Sequence, residues 1–142
     1  MYSPEKLNES DLTDDEKELV KSVCEELMAY PFVMAVYLFG SHAKCCSKPY
    51  SDIDIAVLLR EPAERNEIET AGSYSSKVLD VEIFSLMPIT VKMGIIYDGI
   101  LLFSRDSRYL RDITRANLLE YFDSEPMRRR VNKRFISSFS LK

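Results

Sequence analysis

Four stretches of the chain carry the apolar patterns expected of β-strands. Residues 32 to 39 and 53 to 59 are two largely apolar runs, as in strands that are buried on both faces. Residues 78 to 84 alternate between apolar and acidic or aromatic side chains, which predicts a strand with one apolar face and one face that bears carboxylates. A shorter apolar run predicts a fourth strand at residues 100 to 104.

Helical patterns lie between and around these strands. Thr13 and Glu16 form a capping-box signature ahead of an amphipathic first helix, which we expect Pro31 to end. The apolar spacing further on predicts two longer helices, and charged or polar segments predict shorter ones. These are helices at about 88 to 97 and 108 to 122, a short helix from 41 to about 47, and a solvated short helix with a loop within 60 to 77.

Two short signatures stand at the ends of the first two predicted strands. Gly40 and Ser41 end the first apolar run, and Asp52 and Asp54 open the second one ten residues later. Because residues two apart in a strand face the same side, Asp52 and Asp54 place two carboxylates together on one sheet face. Such oxygen ligands suit Mg²⁺, and a glycine-serine turn offers backbone N–H groups to phosphate. Together they predict a site for a metal and a nucleotide.

The predicted third strand supplies a further carboxylate by the same reasoning. Asp80 lies between two apolar residues near the start of that strand, and Asp52 likewise lies near the start of its own strand. Glu82 lies one pleat further along and is interpreted as a surface or supporting residue. We therefore expect Asp80 to complete the carboxylate cluster.

With these residues in view, the sequence resembles the minimal nucleotidyltransferases, the MNT proteins of the DNA polymerase beta-like nucleotidyltransferase superfamily. The resemblance covers roughly residues 32 to 123. It rests on Leu38-Phe39-Gly40-Ser41, Ser51-Asp52-Ile53-Asp54-Ile55-Ala56-Val57, Leu79-Asp80-Val81 and Tyr97-Asp98-Gly99-Ile100-Leu101-Leu102-Phe103. It implies an α/β (α+β) nucleotidyltransferase fold, with a small mixed β-sheet, helices packed on one face and the active site on the other.

The resemblance also implies roles for individual residues. The glycine-serine turn would bind the phosphates of ATP, and three aspartates would hold two Mg²⁺ ions, the third of them also able to act as a base. Those catalytic and metal-binding roles fall on Asp52, Asp54 and Asp80, and nucleotide binding falls on Gly40, Ser41 and Lys44. The family commonly has a second glycine where this chain has Cys45, a departure that could narrow phosphate access or reduce activity.

The small size of the chain bears on the acceptor of the nucleotide. Only about 38 residues follow the predicted core strands, which leaves little room for a separate substrate domain. Proteins resembling this one are commonly the antitoxins of HEPN-MNT toxin-antitoxin pairs, in which AMP is transferred from ATP to a tyrosine of the HEPN ribonuclease. The resemblance thus implies a protein adenylyltransferase with a HEPN toxin as partner. A non-catalytic module that neutralises its partner by occlusion and nucleotidyl transfer to a small molecule are the alternatives.

Composition and charge restrict the remaining classes. The chain has 142 residues, 46% of them hydrophobic, enough to bury a core without disulfides, and its three cysteines suggest a reducing cytoplasm. No apolar stretch approaches the ~20 residues of a membrane span, and the acidic N-terminus is unlike a signal peptide. Residues 1 to 104 hold nine basic against eighteen acidic side chains, and residues 105 to 142 hold ten against five.

The basic end of the chain is predicted to form a unit of its own. We place a nucleotidyltransferase domain at residues 1 to 123 and a basic amphipathic helical tail at residues 124 to 142. Met127, Val131 and Phe135 recur every four residues, which favours a helix that docks on its own domain or on a partner. Nucleic-acid binding is disfavoured, since the basic cluster lacks interleaved aromatic side chains. The sequence leaves homo-oligomers and hetero-oligomers both open.

Overall fold

A four-stranded mixed sheet forms the centre of the molecule, in the order β3-β2-β1-β4. The computed structural model describes residues 1–47 and 51–140, with side chains as far as residue 126. The elements are a short 3-10 helix (Pro4–Glu9), α1 (Asp14–Leu27), β1 (Val33–Phe39), β2 (Ile53–Leu59), α2 (Arg65–Gly72), β3 (Leu79–Ile83), a 3-10 turn (Phe84–Leu86), α3 (Ile89–Asp98), β4 (Ile100–Ser104) and α4 (Ser107–Ser140).

The pairing of the strands sets the position of the predicted site. Strand β1 is antiparallel to both β2 and β4, whereas β2 and β3 run parallel. The long connection between β2 and β3 contains α2, as a parallel crossover requires. The starts of β2 and β3 therefore lie side by side, and the end of β1 lies next to the start of β2.

The predicted strands are confirmed, and several helices differ from expectation. Strands β2 and β4 have the predicted bounds, and α3 lies one residue further along than predicted. The helix predicted at 41 to 47 is wrong, since residues 41–45 form a series of turns in which Cys45 has a positive φ of 57° that a right-handed helix cannot contain. Helix α1 ends at Leu27, before Pro31 is reached.

Helices α1 and α2, which precede β1 and follow β2 in the chain, cover the first face of the sheet. The capping box at Thr13 and Glu16 is present and starts α1, as predicted. The inward-facing side chains of this layer are almost all apolar and form one buried cluster. It includes Val20, Cys24 and Leu27 of α1, Val36 and Leu38 of β1, Ile53, Ile55 and Val57 of β2, and Ala71 of α2.

The second face of the sheet also carries helices, which corrects the expectation that helices pack on one face only. Ala35, Tyr37, Ala56 and Leu58 are buried on this face together with Ile95 of α3. Side chains of α4 pack against the same cluster. The carboxylates occupy only one end of the face, and the apolar remainder must be kept from water by burial. The site thus lies beside a helical layer.

Helix α4 continues well beyond the predicted end at 122 and includes Pro126. It runs across the predicted boundary between residues 123 and 124 as one helix. The side chains of Met127, Val131 and Phe135, on which the docking hypothesis for the tail depends, lie outside the described residues. Within the described part of the chain, no helix combines the length and apolar character needed to span a bilayer.

Candidate active site

The turn at residues 40–45, called the Gly40 turn below, lies directly against Asp54 of β2. Gly40 ends β1 with a positive φ of 81°, a conformation that glycine adopts without steric cost. A Cβ atom built at this position would stand 2.5 Å from Oδ2 of Asp54. Both the backbone conformation and the close approach require glycine here. The turn that was predicted to bind phosphate and the carboxylate that was predicted to bind metal are therefore in direct contact.

The three predicted aspartates lie at the same end of the sheet, where β2 and β3 begin. In the parallel pair of β2 and β3, Asp54 is the register partner of Asp80, so the two side chains stand side by side on the same face. Asp52 precedes Asp54 by one pleat and lies just outside β2. Asp52 and Asp80 are exposed, and Asp54 is half-buried. The cluster is therefore open to solvent on one side and closed at Asp54.

Charge repulsion within this cluster acts on the pKa of Asp54. Burial raises the pKa of this carboxyl, and the charges of Asp80 and Asp52 raise it further, while nearby His42 lowers it. A carboxylate in this position is destabilised by its neighbours unless positive charge is supplied. The cluster is thus arranged to attract cations.

Glu82 adds a fourth carboxyl group, which sequence reasoning had set aside. It faces the same side of β3 as Asp80 and is exposed. Its pKa is raised by partial burial, by the charges of Asp80 and Asp54, and by a hydrogen bond with Asp80. The alternation of residues 78 to 84 already contained the signal, since Asp80 and Glu82 share one face of the strand.

The donor chemistry of the cluster fits Mg²⁺. All of its potential ligands are carboxylate oxygens, which hard divalent cations prefer. Among the described residues, no group of three acidic, histidine or cysteine side chains converges closely enough to enclose a metal ion. Mg²⁺ is commonly bound by one or two carboxylates together with substrate phosphates and water. Asp52, Asp54 and Asp80 would hold the metal in that manner, with the phosphates bound at the adjoining turn.

The residues that follow Gly40 form a closed series of turns. Backbone hydrogen bonds from the Lys44 N–H to the Gly40 carbonyl, and from the Cys46 N–H to the Ser41 carbonyl, close it. Cys45 has a φ of 57°, so the backbone keeps the left-handed conformation that glycine favours even though glycine is absent. The Cys45 backbone therefore has the conformation that glycine would adopt without steric cost.

Lys44 places a positive charge beside this turn. Its Nζ lies 3.8 Å from Oδ2 of Asp98 at the end of α3, and both side chains are more than half exposed. A contact this open contributes little to stability, because water screens it. Lys44 can therefore leave Asp98 for a bound phosphate at little cost.

His42 is a site residue whose contacts the sequence did not reveal. It is the sole histidine of the chain and is only 4% exposed. Its Nδ1 lies 2.7 Å from Oδ1 of Asp11, and its Nε2 lies 3.2 Å from the carbonyl oxygen of Ser51. Its position directly after Gly40-Ser41 was a local signal, but its partner Asp11 is 31 residues away in the chain.

Comparisons with known proteins agree with this geometry. Among solved structures, a chain of a toxin-antitoxin crystal structure with AMP-PNP has a TM-score of 0.64 at 16% identity, covering 84% of this chain and 97% of that chain. A chain from the complex of tri-AMPylated Shewanella oneidensis HEPN toxin with MNT antitoxin has a TM-score of 0.61 at 17% identity, covering 84% and 94%. At these identities the likeness shows the fold, and it confirms the nucleotidyltransferase fold predicted from the sequence.

The sequence comparisons address the family. No curated protein matches the sequence. The family model described as Polymerase beta, Nucleotidyltransferase matches residues 21–108, which include the turn, Asp52, Asp54 and the whole of β3. Because this match spans more than half of the chain, the protein belongs to the polymerase beta nucleotidyltransferase family.

Proposed function

We propose that this protein is a Mg²⁺-dependent adenylyltransferase that moves AMP from ATP to a tyrosine hydroxyl of a HEPN ribonuclease toxin, and so acts as an antitoxin in the cytoplasm. The observation that carries the chemistry is the contact between the Gly40 turn and a carboxylate cluster centred on Asp54 and Asp80. A triphosphate and the cations that neutralise it require these two features side by side.

In this proposal each predicted residue has a role. The backbone of Gly40 and Ser41 would bind the triphosphate, and Lys44 would add positive charge. Asp52 and Asp54 would hold two Mg²⁺ ions, which when bound offset the negative charge that develops around the α-phosphorus. Asp80 would orient the acceptor hydroxyl and accept its proton.

The reaction balances as an in-line displacement. The acceptor oxygen forms a bond to the α-phosphorus, the bond from that phosphorus to the bridging oxygen of the β-phosphate breaks, and pyrophosphate leaves. The proton of the hydroxyl passes to Asp80. Most of the rate gain would come from positioning and electrostatics, because the protein forms no covalent intermediate in this scheme.

Three observations support a protein acceptor. The match covers 94 to 97% of the similar chains from toxin-antitoxin structures and 84% of this chain. One of those structures contains a tri-AMPylated HEPN toxin. The exposed carboxylates of Asp52 and Asp80 leave the cluster open to a macromolecule from outside. The acceptor hydroxyl would therefore be supplied by the partner.

The test replaces Asp52 and Asp54 together by asparagine. We expect the double variant to fold, to bind the partner, and to lose the mass gain of one or more AMP groups on the partner. A matched control removes two exposed carboxylates of α4, as Asp112→Asn with Glu120→Gln, and should leave AMP transfer intact. Intact mass spectrometry of the co-incubated partner with ATP and Mg²⁺ gives the answer.

The same experiment separates the alternatives. A double variant that still neutralises the partner without AMP transfer would favour occlusion. AMP transfer to small molecules, with the partner unmodified, would favour a small-molecule acceptor. The absence of the second glycine is the feature that favours occlusion, and the left-handed backbone at Cys45 argues against a changed turn.

A further inference from the structure

His42 occupies the junction of three segments that build the site. Its ring is buried between Asp11, which precedes α1, and Ser51, which directly precedes the metal-binding candidate Asp52. The backbone supports the same junction, because the Asp11 N–H donates to the His42 carbonyl at 3.2 Å. The His42 side chain therefore joins the Gly40 turn to the segment that carries Asp52 and Asp54.

Both ring nitrogens of His42 face hydrogen-bond acceptors. The Ser51 carbonyl can only accept, and the Asp11 carboxylate, whose pKa is lowered by hydrogen bonds from Ser47 and from His42, also accepts. A neutral imidazole has one N–H and would leave its other nitrogen lone pair against an oxygen. In either neutral tautomer one ring N–H donates to one of these two oxygens, so the ring is held by a hydrogen bond whichever nitrogen carries the proton.

The second carboxylate oxygen of Asp11 extends the junction to the far end of the turn. Ser47 donates to Oδ2 of Asp11 through its backbone N–H, at 3.1 Å, and through its hydroxyl. Asp11 thus binds His42 at one end of the turn and Ser47 at the other. Cys45 adds a further contact to this N-terminal segment, from its Sγ to the Glu9 carbonyl at 3.4 Å. The turn is held from outside by the segment that precedes α1.

We infer that His42, which bridges Asp11 and the Ser51 carbonyl, is a positioning residue that fixes the distance between the Gly40 turn and Asp52. This role rests on the proposed function, because the turn and Asp52 must bind one metal-nucleotide complex together. Misplacement of either by about 1 Å is enough to cost a large factor in rate. His42 itself touches neither nucleotide nor metal in this scheme.

The first test observes the ring directly and needs neither nucleotide nor acceptor. Because the chain has a single histidine, ¹⁵N labelling of histidine gives one unambiguous pair of ring-nitrogen signals. We expect the ring N–H proton to exchange slowly with solvent, because the ring is buried and hydrogen-bonded between Asp11 and the Ser51 carbonyl. A ring proton that exchanges as fast as that of a free histidine would overturn the bridge.

The second test measures nucleotide binding and catalysis. His42→Gln and Asp11→Asn should each weaken ATP binding in the presence of Mg²⁺ by about 10-fold, as loss of a residue that orients a ligand commonly does. The two effects should not add in the double variant, because both remove the same bridge. Where AMP transfer to the partner is measurable, KM for ATP should rise more than kcat falls.

A matched control separates positioning from loss of stability. Asn117 is a second buried polar side chain, 7% exposed, which donates to the Ile113 carbonyl within α4. Asn117→Ala should lower the melting temperature without changing ATP affinity. Wild-type ATP affinity in both His42→Gln and Asp11→Asn would overturn the inference. If ATP binding responds as expected but no acceptor is ever modified, the positioning role stands for nucleotide binding and the proposed transfer fails.

Discussion

Gly40 and Asp54 are in such close contact that any side chain at position 40 would collide with the Asp54 carboxylate, since a Cβ there would stand 2.5 Å from Oδ2. The two residues come from the end of β1 and the start of β2, which are neighbours in the antiparallel pair. The hydrogen-bonded pairing of β1 with β2 thus brings the Gly40 turn and the carboxylate cluster together.

The first prediction concerns Gly40→Ala. The left-handed backbone at this position should cost about 1 to 2 kcal/mol of stability for alanine, and the added methyl group must also displace the Asp54 carboxylate. We expect a lower melting temperature and a loss of Mg²⁺-dependent ATP binding, measured by thermal unfolding and by titration calorimetry.

Gly94→Ala is the matched control for that substitution. Gly94 lies inside α3, and a Cβ there would meet nothing within 4 Å outside its own helix. Alanine should stabilise the helix by roughly 0.5 to 1 kcal/mol and leave ATP binding unchanged. Equal effects of the two substitutions would contradict the special role of position 40.

The second prediction concerns removal of the metal. A triphosphate brought to the Gly40 turn meets the negative charges of Asp52, Asp54 and Asp80, so we expect ATP to bind weakly in EDTA and far more tightly with Mg²⁺. Titration calorimetry in the two buffers measures the difference. Equal affinity in both would argue against a metal-bound nucleotide at this site.

Much of the site could be predicted from local sequence. The apolar runs and the alternating third segment located all four strands. Asp80 was placed in the cluster because, like Asp52, it lies near the start of its strand, and its register partner in the structure is Asp54. What could not be predicted depends on contacts between distant segments. His42 and Asp11 meet only because the segment before α1 folds back over the turn, and no periodicity in either segment encodes that contact.

The arrangement of the helices could not be predicted for a related physical reason. A strand with continuous apolar residues shows that both of its faces are buried, but it does not show what covers each face. The sequence interpretation gave one face to helices and the other to the site. In the structure Tyr37 and Leu58 require cover on the same face as Asp54, and α3 and α4 provide it.

The third prediction is a pH-dependent gain in stability for Asp54→Asn in metal-free buffer. The pKa of Asp54 is raised in the folded protein, so its ionised form destabilises the native state relative to the unfolded chain. Asparagine should therefore raise the melting temperature at pH 7. The gain should shrink as the pH falls through the raised pKa towards 3.8, the value of an unperturbed aspartate, where the wild-type carboxyl becomes protonated in both states.

The metal provides the control for this third prediction. With Mg²⁺ and ATP present, the wild-type protein gains stability from binding that the Asp54→Asn variant should lack, so the order of the two melting temperatures should reverse. Asp112→Asn, which removes an exposed carboxylate of α4, should show neither the gain nor the reversal. A wild-type protein more stable than Asp54→Asn in EDTA at pH 7 would refute the repulsion within the cluster.

The fourth prediction concerns Cys45, the position at which the resemblance to the MNT proteins implies glycine. Its φ of 57° is costly for a residue with a side chain, by about 1 to 2 kcal/mol, whereas glycine would lose roughly 0.5 to 1 kcal/mol through the greater freedom of the unfolded chain. Cys45→Gly should therefore raise the free energy of unfolding by up to about 1 kcal/mol. Denaturant titration under reducing conditions measures this change.

The neighbouring cysteine offers a control at the same turn. Cys46 is also exposed, but its φ is not positive, so Cys46→Gly relieves no strain and should lower stability by about 0.4 to 1 kcal/mol. ATP affinity should be unchanged in Cys45→Gly, because the Cys45 Sγ is directed to the Glu9 carbonyl and the backbone of the turn already has the conformation that glycine would adopt. A large rise in ATP affinity would instead show that the Cys45 side chain obstructs the phosphates, so that the Gly40 turn limits nucleotide binding in this protein.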